Sequence, residues 1–238
     1  MTITVQASPQ SIPVITIDGP SGSGKGTLAL SLAKRLNWHL LDSGALYRLL
    51  ALAASRQGVQ TQDTETLVKI ARQMAIGFKV NKGQRLAQTW LAGEDVSVAI
   101  RTESCAAFAS QLAACDSVRL ALLDRQRAFR QWPGLVTDGR DMGTVVFPQA
   151  DLKVFLTASA EKRAWRRYQQ LKAIDSSVSL ARLLAEIRAR DKRDKERTVS
   201  PLRPAKHALI IDSSELTIAQ VEDRMWQEII RHKLNKCY

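Results

Sequence analysis

The chain has 238 residues, with 35 Lys and Arg against 23 Asp and Glu, a formal net charge of +12. Apolar residues make up 45% of it, too many for a disordered chain, and the length suits one large domain, or one domain with an insertion, with a full core. Such an excess of positive charge calls for an anionic partner: nucleic acid, a membrane surface or phosphorylated small molecules.

No apolar run reaches 18 residues, and the first ten lack the basic start and apolar stretch of a signal peptide, so neither a transmembrane helix nor secretion is expected. Cys105, Cys115 and Cys237 are odd in number and form no C-x-x-C pair. That argues against a disulfide framework or zinc site and fits a reducing, cytoplasmic setting.

After a short polar arm at 1–12, the first apolar run is Val14–Asp18. A helical pattern follows at Thr27–Leu36, then a second run at His39–Asp42 and a helix at Ala45–Ala54. The stretch 63–103 breaks the alternation. It offers a helical piece at Glu65–Met74, then extended pieces at Gly77–Val80 and Arg85–Leu91, with turn signals at Asn81-Lys82-Gly83 and Gly93-Glu94-Asp95. It reads as a small antiparallel insertion. One helix is expected over Ser110–Arg130, before strands at Leu135–Asp138 and Leu152–Thr157. Helices at Ala160–Leu171 and Ser179–Arg197, a strand at Ala208–Asp212 and a helix at Ile218–Lys233 close the chain. Strands alternating with helices predict an α/β doubly wound fold, and four of the five strands end in Asp, at the edge where open parallel sheets carry their sites.

Gly19-Pro20-Ser21-Gly22-Ser23-Gly24-Lys25-Gly26-Thr27 joins the first strand to the first helix. This is the context of a phosphate-binding loop: glycines let backbone N–H groups converge, a helix N-terminus adds positive potential, and Lys25 bridges the outer phosphates of a nucleoside triphosphate. Gly26 stands where the common motif has Ser or Thr, so Thr27, one residue later, is a possible rather than a fixed magnesium ligand. A Gly/Ser-rich turn is the bland alternative. No Asn-Lys-x-Asp element supports a GTPase.

On the acceptor side, Ser43 reads as a helix N-cap with Arg48 one turn on, able to hold a second phosphate. An ordinary capped helix with a surface Arg fits equally well. Asp138-Gly139-Arg140-Asp141 packs two carboxylates and an Arg at a strand end. In the long helix, Leu183 and Ile187 share a stripe with Arg190, Asp194 and Arg197, so one face turns from apolar to charged. Lys162, Arg163, Arg166 and Arg167 crowd the preceding helix, as a lid over phosphates or as a solvated basic face. Residues 161–197 carry twelve Lys and Arg against six Asp and Glu, half of the net charge.

With Asp42–Arg48, the run Asp138–Pro148 (DGRDMGTVVFP), Gly93–Ser97 and Arg190–Arg197 (RDKRDKER), the chain resembles the bacterial cytidylate kinases, from about Pro13 to Arg231. The resemblance implies a P-loop kinase. Its five-stranded parallel sheet is flanked by helices in a core of residues 13–62, 104–160 and 198–233, with a monophosphate-binding insertion at about 63–103 and a short lid at about 161–197. It implies ATP as phosphoryl donor with Mg²⁺, CMP or dCMP as acceptor, and a monomer that needs no nucleic acid or membrane. By position, Ser110, Arg119 and Asp141 match residues that read the cytosine edge. Arg190 and Asp194 match those that hold the pentose. Arg48, Arg140 and Arg197 match those on the acceptor phosphate, Lys25 and the loop amides those on ATP, and Arg163 and Arg167 lid positions. Competing readings are a sibling kinase acting on UMP or a metabolite such as shikimate, a nucleotide sensor, and an ATP-dependent nucleic-acid-binding protein. Aromatic residues at 5% give the last little to stack bases with.

Overall fold

A computed structural model describes residues 12–79, 87–172 and 178–235. The expected polar arm and the Asn81-Lys82-Gly83 turn lie outside these residues, apart from position 12. Five strands form one parallel sheet: β1 (Val14–Asp18), β2 (His39–Asp42), β6 (Leu135–Gly139), β7 (Leu152–Thr157) and β8 (Leu209–Asp212). Their order is β2-β6-β1-β7-β8, which puts β1 in the middle. All five residues of β1 are buried, as expected of a Val/Ile-rich strand covered on both faces. Asp18 pairs with Gly139, and Asp42 lies opposite Asp138, so the acidic strand ends share one edge.

Helix α1 (Lys25–Leu36) covers one face with the last helix, α8 (Ile218–Arg231). Ile15, Ile17, Leu28, Leu32, Val154, Met225 and Ile229 are the heart of this core. Helix α2 (Ser43–Arg56) starts a second core with α3 (Thr64–Gln73), α4 (Glu103–Leu112) and α5 (Asp116–Arg127), around Leu46, Leu50, Leu67, Leu112 and Leu122. The antiparallel sheet is also present: β3 (Ile76–Lys79), β4 (Gln88–Leu91) and a two-residue β5 (Glu94–Asp95). Gly93 is thus the turn between β4 and β5, with φ 83, beside Ala92 at φ 50.

Two expectations need correction. The helix expected over 110–130 is two helices, α4 and α5, bent by 99° at 113–115. Ser43 does not cap α2. The cap is Asp42, whose carboxylate accepts the Ala45 N–H at 2.7 Å, reaching the third helical N–H that Ser43, already inside the helix, cannot serve. Helices α6 (Ala160–Lys172) and α7 (Leu180–Glu196) pack on each other. Among the described residues, no single helix is long and apolar enough to cross a membrane.

Candidate active site

The phosphate loop begins where β1 ends. A Cβ on Gly19 would stand 2.0 Å from the Leu156 carbonyl oxygen, so only glycine lets the loop leave the sheet here. Gly24 caps α1 with φ 95, a left-handed conformation that costs glycine little. Lys25 is buried and donates to the Pro20 carbonyl at 3.1 Å, folding back over its own loop. Burial, then the neighbouring Arg140, pulls its pKa down to about 7, against the opposing pull of Asp138. Ser23 Oγ is buried without a hydrogen-bond partner among the described residues, while Thr27 is exposed at the start of α1.

Asp18, the last residue of β1, locks the acceptor side. Its two oxygens accept the N–H groups of Met142 and Gly143, each at 2.8 Å. Its pKa rises to about 6, chiefly because it is buried. This lock fixes the turn after Asp138-Gly139-Arg140-Asp141. A Cβ on Gly139 would lie 2.6 Å from Ser43 Oγ, so that glycine lets the start of α2 close on β6. Asp138 is pushed up to about 7 by burial and then by Asp42 across the sheet, and its Oδ1 has no hydrogen-bond partner among the described residues.

Arg140 stands between the two halves of the site. Its charge bears on Lys25, and its Nε donates to Asp194 Oδ2 at 2.7 Å. Asp194 is 1% exposed and also takes a bond from Arg197 at 2.5 Å. Burial works to raise its pKa, but Arg140 and Arg197 overcome that and hold it below the usual carboxylate range. One turn back, Arg190 has a buried Nε with no hydrogen-bond partner among the described residues, and burial lowers its pKa to about 10. The stripe of α7 therefore does turn inward as its spacing suggests, with Leu183 buried at its apolar end.

Arg119 of α5 pairs with Asp141 and donates to the Ala113 carbonyl at 3.2 Å. Tyr47 is buried near this pair, its pKa pushed up to about 12 by burial. Ser110 Oγ, on α4, is buried and unpartnered among the described residues. Arg48 lines a cleft of about 420 Å³ of atom-free space, partly open to solvent, together with Gly26, Asp42, Asp138 and Arg101. A larger open depression, about 860 Å³, lies at the end of α2 but is lined only by uncharged residues such as Gln60, Gln62 and Gln111.

The two lid arginines behave differently. Arg163 is buried and fully engaged: it donates to the carbonyls of Ala158 at 2.9 Å and Ser21 at 3.0 Å, and forks onto Asp191 of α7. It braces the phosphate loop rather than standing free for a ligand. Arg167 reaches Glu103 at the start of α4, at 2.6 Å. Sequence reasoning gave no role to Asp18, Asp42, Tyr47 or Arg101. The strand-end position of the two acids was a usable signal, while nothing in the sequence marked Arg101.

Comparisons with known proteins agree with this geometry. The family model for cytidylate kinase matches residues 15–231. A cytidylate kinase of Pseudomonas fluorescens (strain Pf0-1) is 60% identical over 217 residues, covering 91% of this chain and 95% of the relative. One from Pseudomonas putida (strain W619) is 59% identical over 222 residues, covering 93% and 97%. A cytidylate kinase of Stutzerimonas stutzeri (strain A1501) is 57% identical over 218 residues, covering 92% and 95%. A phosphate loop at the centre of a five-stranded parallel sheet, facing an acceptor side built on DGRD and α7, is thus the setting of an enzyme, and the chain belongs to the cytidylate kinase family.

Proposed function

We propose that the protein transfers the γ-phosphoryl group of ATP to CMP or dCMP, giving ADP and CDP or dCDP. The observation that carries this is the place of Arg140, beside Lys25 of the donor loop and bonded to Asp194 of the acceptor side. One guanidinium spans the line along which a phosphoryl group would pass.

The acceptor is a phosphate oxygen whose second pKa is near 6, so it is mostly ionised at pH 7 and needs no general base. The chain's task is to align two polyanions and neutralise charge in the transition state. Lys25 and the amides of Ser21, Gly22, Ser23, Gly24, Gly26 and Thr27 take the donor phosphates, while Gly19, whose N–H is bonded to the Gly139 carbonyl, and Pro20, which has no N–H, shape the start of the loop. Phosphates arriving beside Lys25 favour its charged form. Arg48, Arg140 and Arg197 hold the acceptor phosphate, whose forked oxygens suit guanidinium better than ammonium. Ser43 lies at the same end of α2. The buried Arg190 Nε, with Asp194, faces the pentose. The unpartnered Ser110 Oγ, with Arg119 and Asp141, reads the cytosine edge.

Asp138, with a buried and unpartnered oxygen, and Thr27, at the head of α1, are oxygen donors that fit a hydrated Mg²⁺. Bound there with ATP, Mg²⁺ supplies charge neutralisation on the donor phosphates. The same reading makes residues 63–103 the monophosphate-binding insertion and 161–197 the lid on a core of 13–62, 104–160 and 198–233. It has the enzyme act as a cytoplasmic monomer on free nucleotides. An ADP-release assay with CMP, dCMP, UMP, AMP and shikimate as acceptors tests it. CMP and dCMP are expected to accelerate release most, and no acceleration by either would refute the proposal.

A further inference from the structure

The segment Gly93–Ser97 is bonded in a way that the reaction above does not use. Glu94 takes both ends of the Arg56 guanidinium, at 2.7 and 2.9 Å, which ties the segment to the end of α2. Asp95 Oδ1 accepts from Ser97 N at 2.9 Å and from Ser97 Oγ at 2.5 Å. Ser97 Oγ in turn accepts the Thr89 N–H at 2.9 Å. The chain of bonds ends at the Ser97 carbonyl, which takes Arg101 Nη1 at 2.5 Å. Arg101 Nη2 makes a long bond to the Ala87 carbonyl, at 3.4 Å. The segment is a brace with one side chain at its end.

That side chain points at the acceptor cleft. Arg101 is half-buried and lines the same space as Gly26, Asp42, Arg48 and Asp138. Two of its five N–H groups are spent on backbone carbonyls, which leaves three. The Arg48 guanidinium makes no hydrogen bond or ion pair among the described residues. Burial, then Arg48 itself, holds the Arg101 pKa below the usual arginine range, with Asp42 opposing. Two guanidinium groups that meet in a cleft repel each other, and an anion between them turns that repulsion into attraction. A phosphate monoester, with three terminal oxygens, offers enough acceptors for both forks.

We infer that Arg101 is a phosphate ligand of the acceptor, held by the Gly93–Ser97 brace, and that with Arg48 it selects phosphorylated over unphosphorylated acceptors. The inference rests on the nucleotide-kinase reading and adds a residue to its acceptor site.

The test is calorimetric binding of CMP and of cytidine to the full chain without ATP, for the wild type, Arg101→Met and Arg101→Lys. The wild type is expected to prefer CMP. Arg101→Met is expected to lower the CMP-over-cytidine preference by about 10- to 100-fold, with cytidine affinity nearly unchanged. Arg101→Lys keeps the charge without the fork, so a loss of about 3- to 10-fold is expected, and it serves as the test where the Met variant does not fold. Equal losses for CMP and cytidine, or a preference that survives in these variants, overturn the inference and mark Arg101 as structural. A wild type that binds CMP no better than cytidine sinks the acceptor reading itself, and this inference with it.

Discussion

Asp18 shows how one side chain can cost stability and still organise a site. Both its oxygens are bonded to backbone N–H groups, yet it lies at the end of a wholly buried strand, and its pKa rises to about 6 from 3.8. Between those values the folded protein holds a proton that the unfolded chain has released. This contribution to stability therefore falls as the pH rises through that window. Asp18→Asn removes the titration and leaves one acceptor oxygen in place of two. Its destabilisation is expected to be larger at pH 5 than at pH 7.5, by about 1.4 kcal/mol, read from urea melts at the two pH values. An equal loss at both would mean that Asp18 titrates normally.

Elements carry the next level of organisation. Arg163 links three of them: it leaves α6, holds the phosphate loop at the Ser21 carbonyl and holds α7 at Asp191. Arg163→Met strands a largely buried carboxylate, which is expected to cost about 3 kcal/mol. Loosening the loop should also lower kcat/KM for ATP by roughly 10- to 100-fold, with a much smaller effect on KM for CMP. Denaturant melts and steady-state kinetics check the two halves. Helix α8 supplies a contrast. Thr217 and Gln220 form a reciprocal capping box away from the cleft. Thr217→Ala is expected to cost about 1 kcal/mol, a Tm drop of about 2–4 °C, with turnover unchanged.

Most elements were legible in the sequence because their signals are local. Val14–Asp18 announces a buried strand, and Gly19–Thr27 its loop. The α7 stripe was legible because helical geometry sets which residues share a face. The break between α4 and α5 was not. Ala113-Ala114-Cys115 holds no Gly or Pro, and alanine favours a continuous helix, so the sequence carries no break signal there, and the turn goes with the packing of α4 on α2 and of α5 on α3. Likewise Asp42 and Ser43 are both good caps, and geometry decides between them. Arg101 looks like any surface cation until β4, β5 and the strand ends are brought together. Cationic clusters in sequence say little about which arginine is engaged, and Arg163 and Arg167 differ only in what surrounds them.

For the whole molecule, arginines drawn from distant segments converge: Arg48, Arg119, Arg140, Arg190 and Arg197 all border one site. A single ligand that joins cytidine to adenosine through five phosphates should engage donor and acceptor sides together. At a thousand times its Kd it is expected to add about 4.1 kcal/mol, raising Tm by about 8–16 °C. A thermal shift no larger than that of ATP alone would show that the two sides do not share a cleft.

The Asp194 carboxylate gives that charged cleft a further property. It takes one N–H from each of Arg140 and Arg197, which leaves most of each guanidinium for a second anion. On the proposed reading, an arriving phosphate would share these two arginines with a resident anion instead of meeting two bare cations, and a departing product would leave them still partnered. Affinity would thereby be tempered at both ends of the cycle, which favours release where substrate and product are both highly charged.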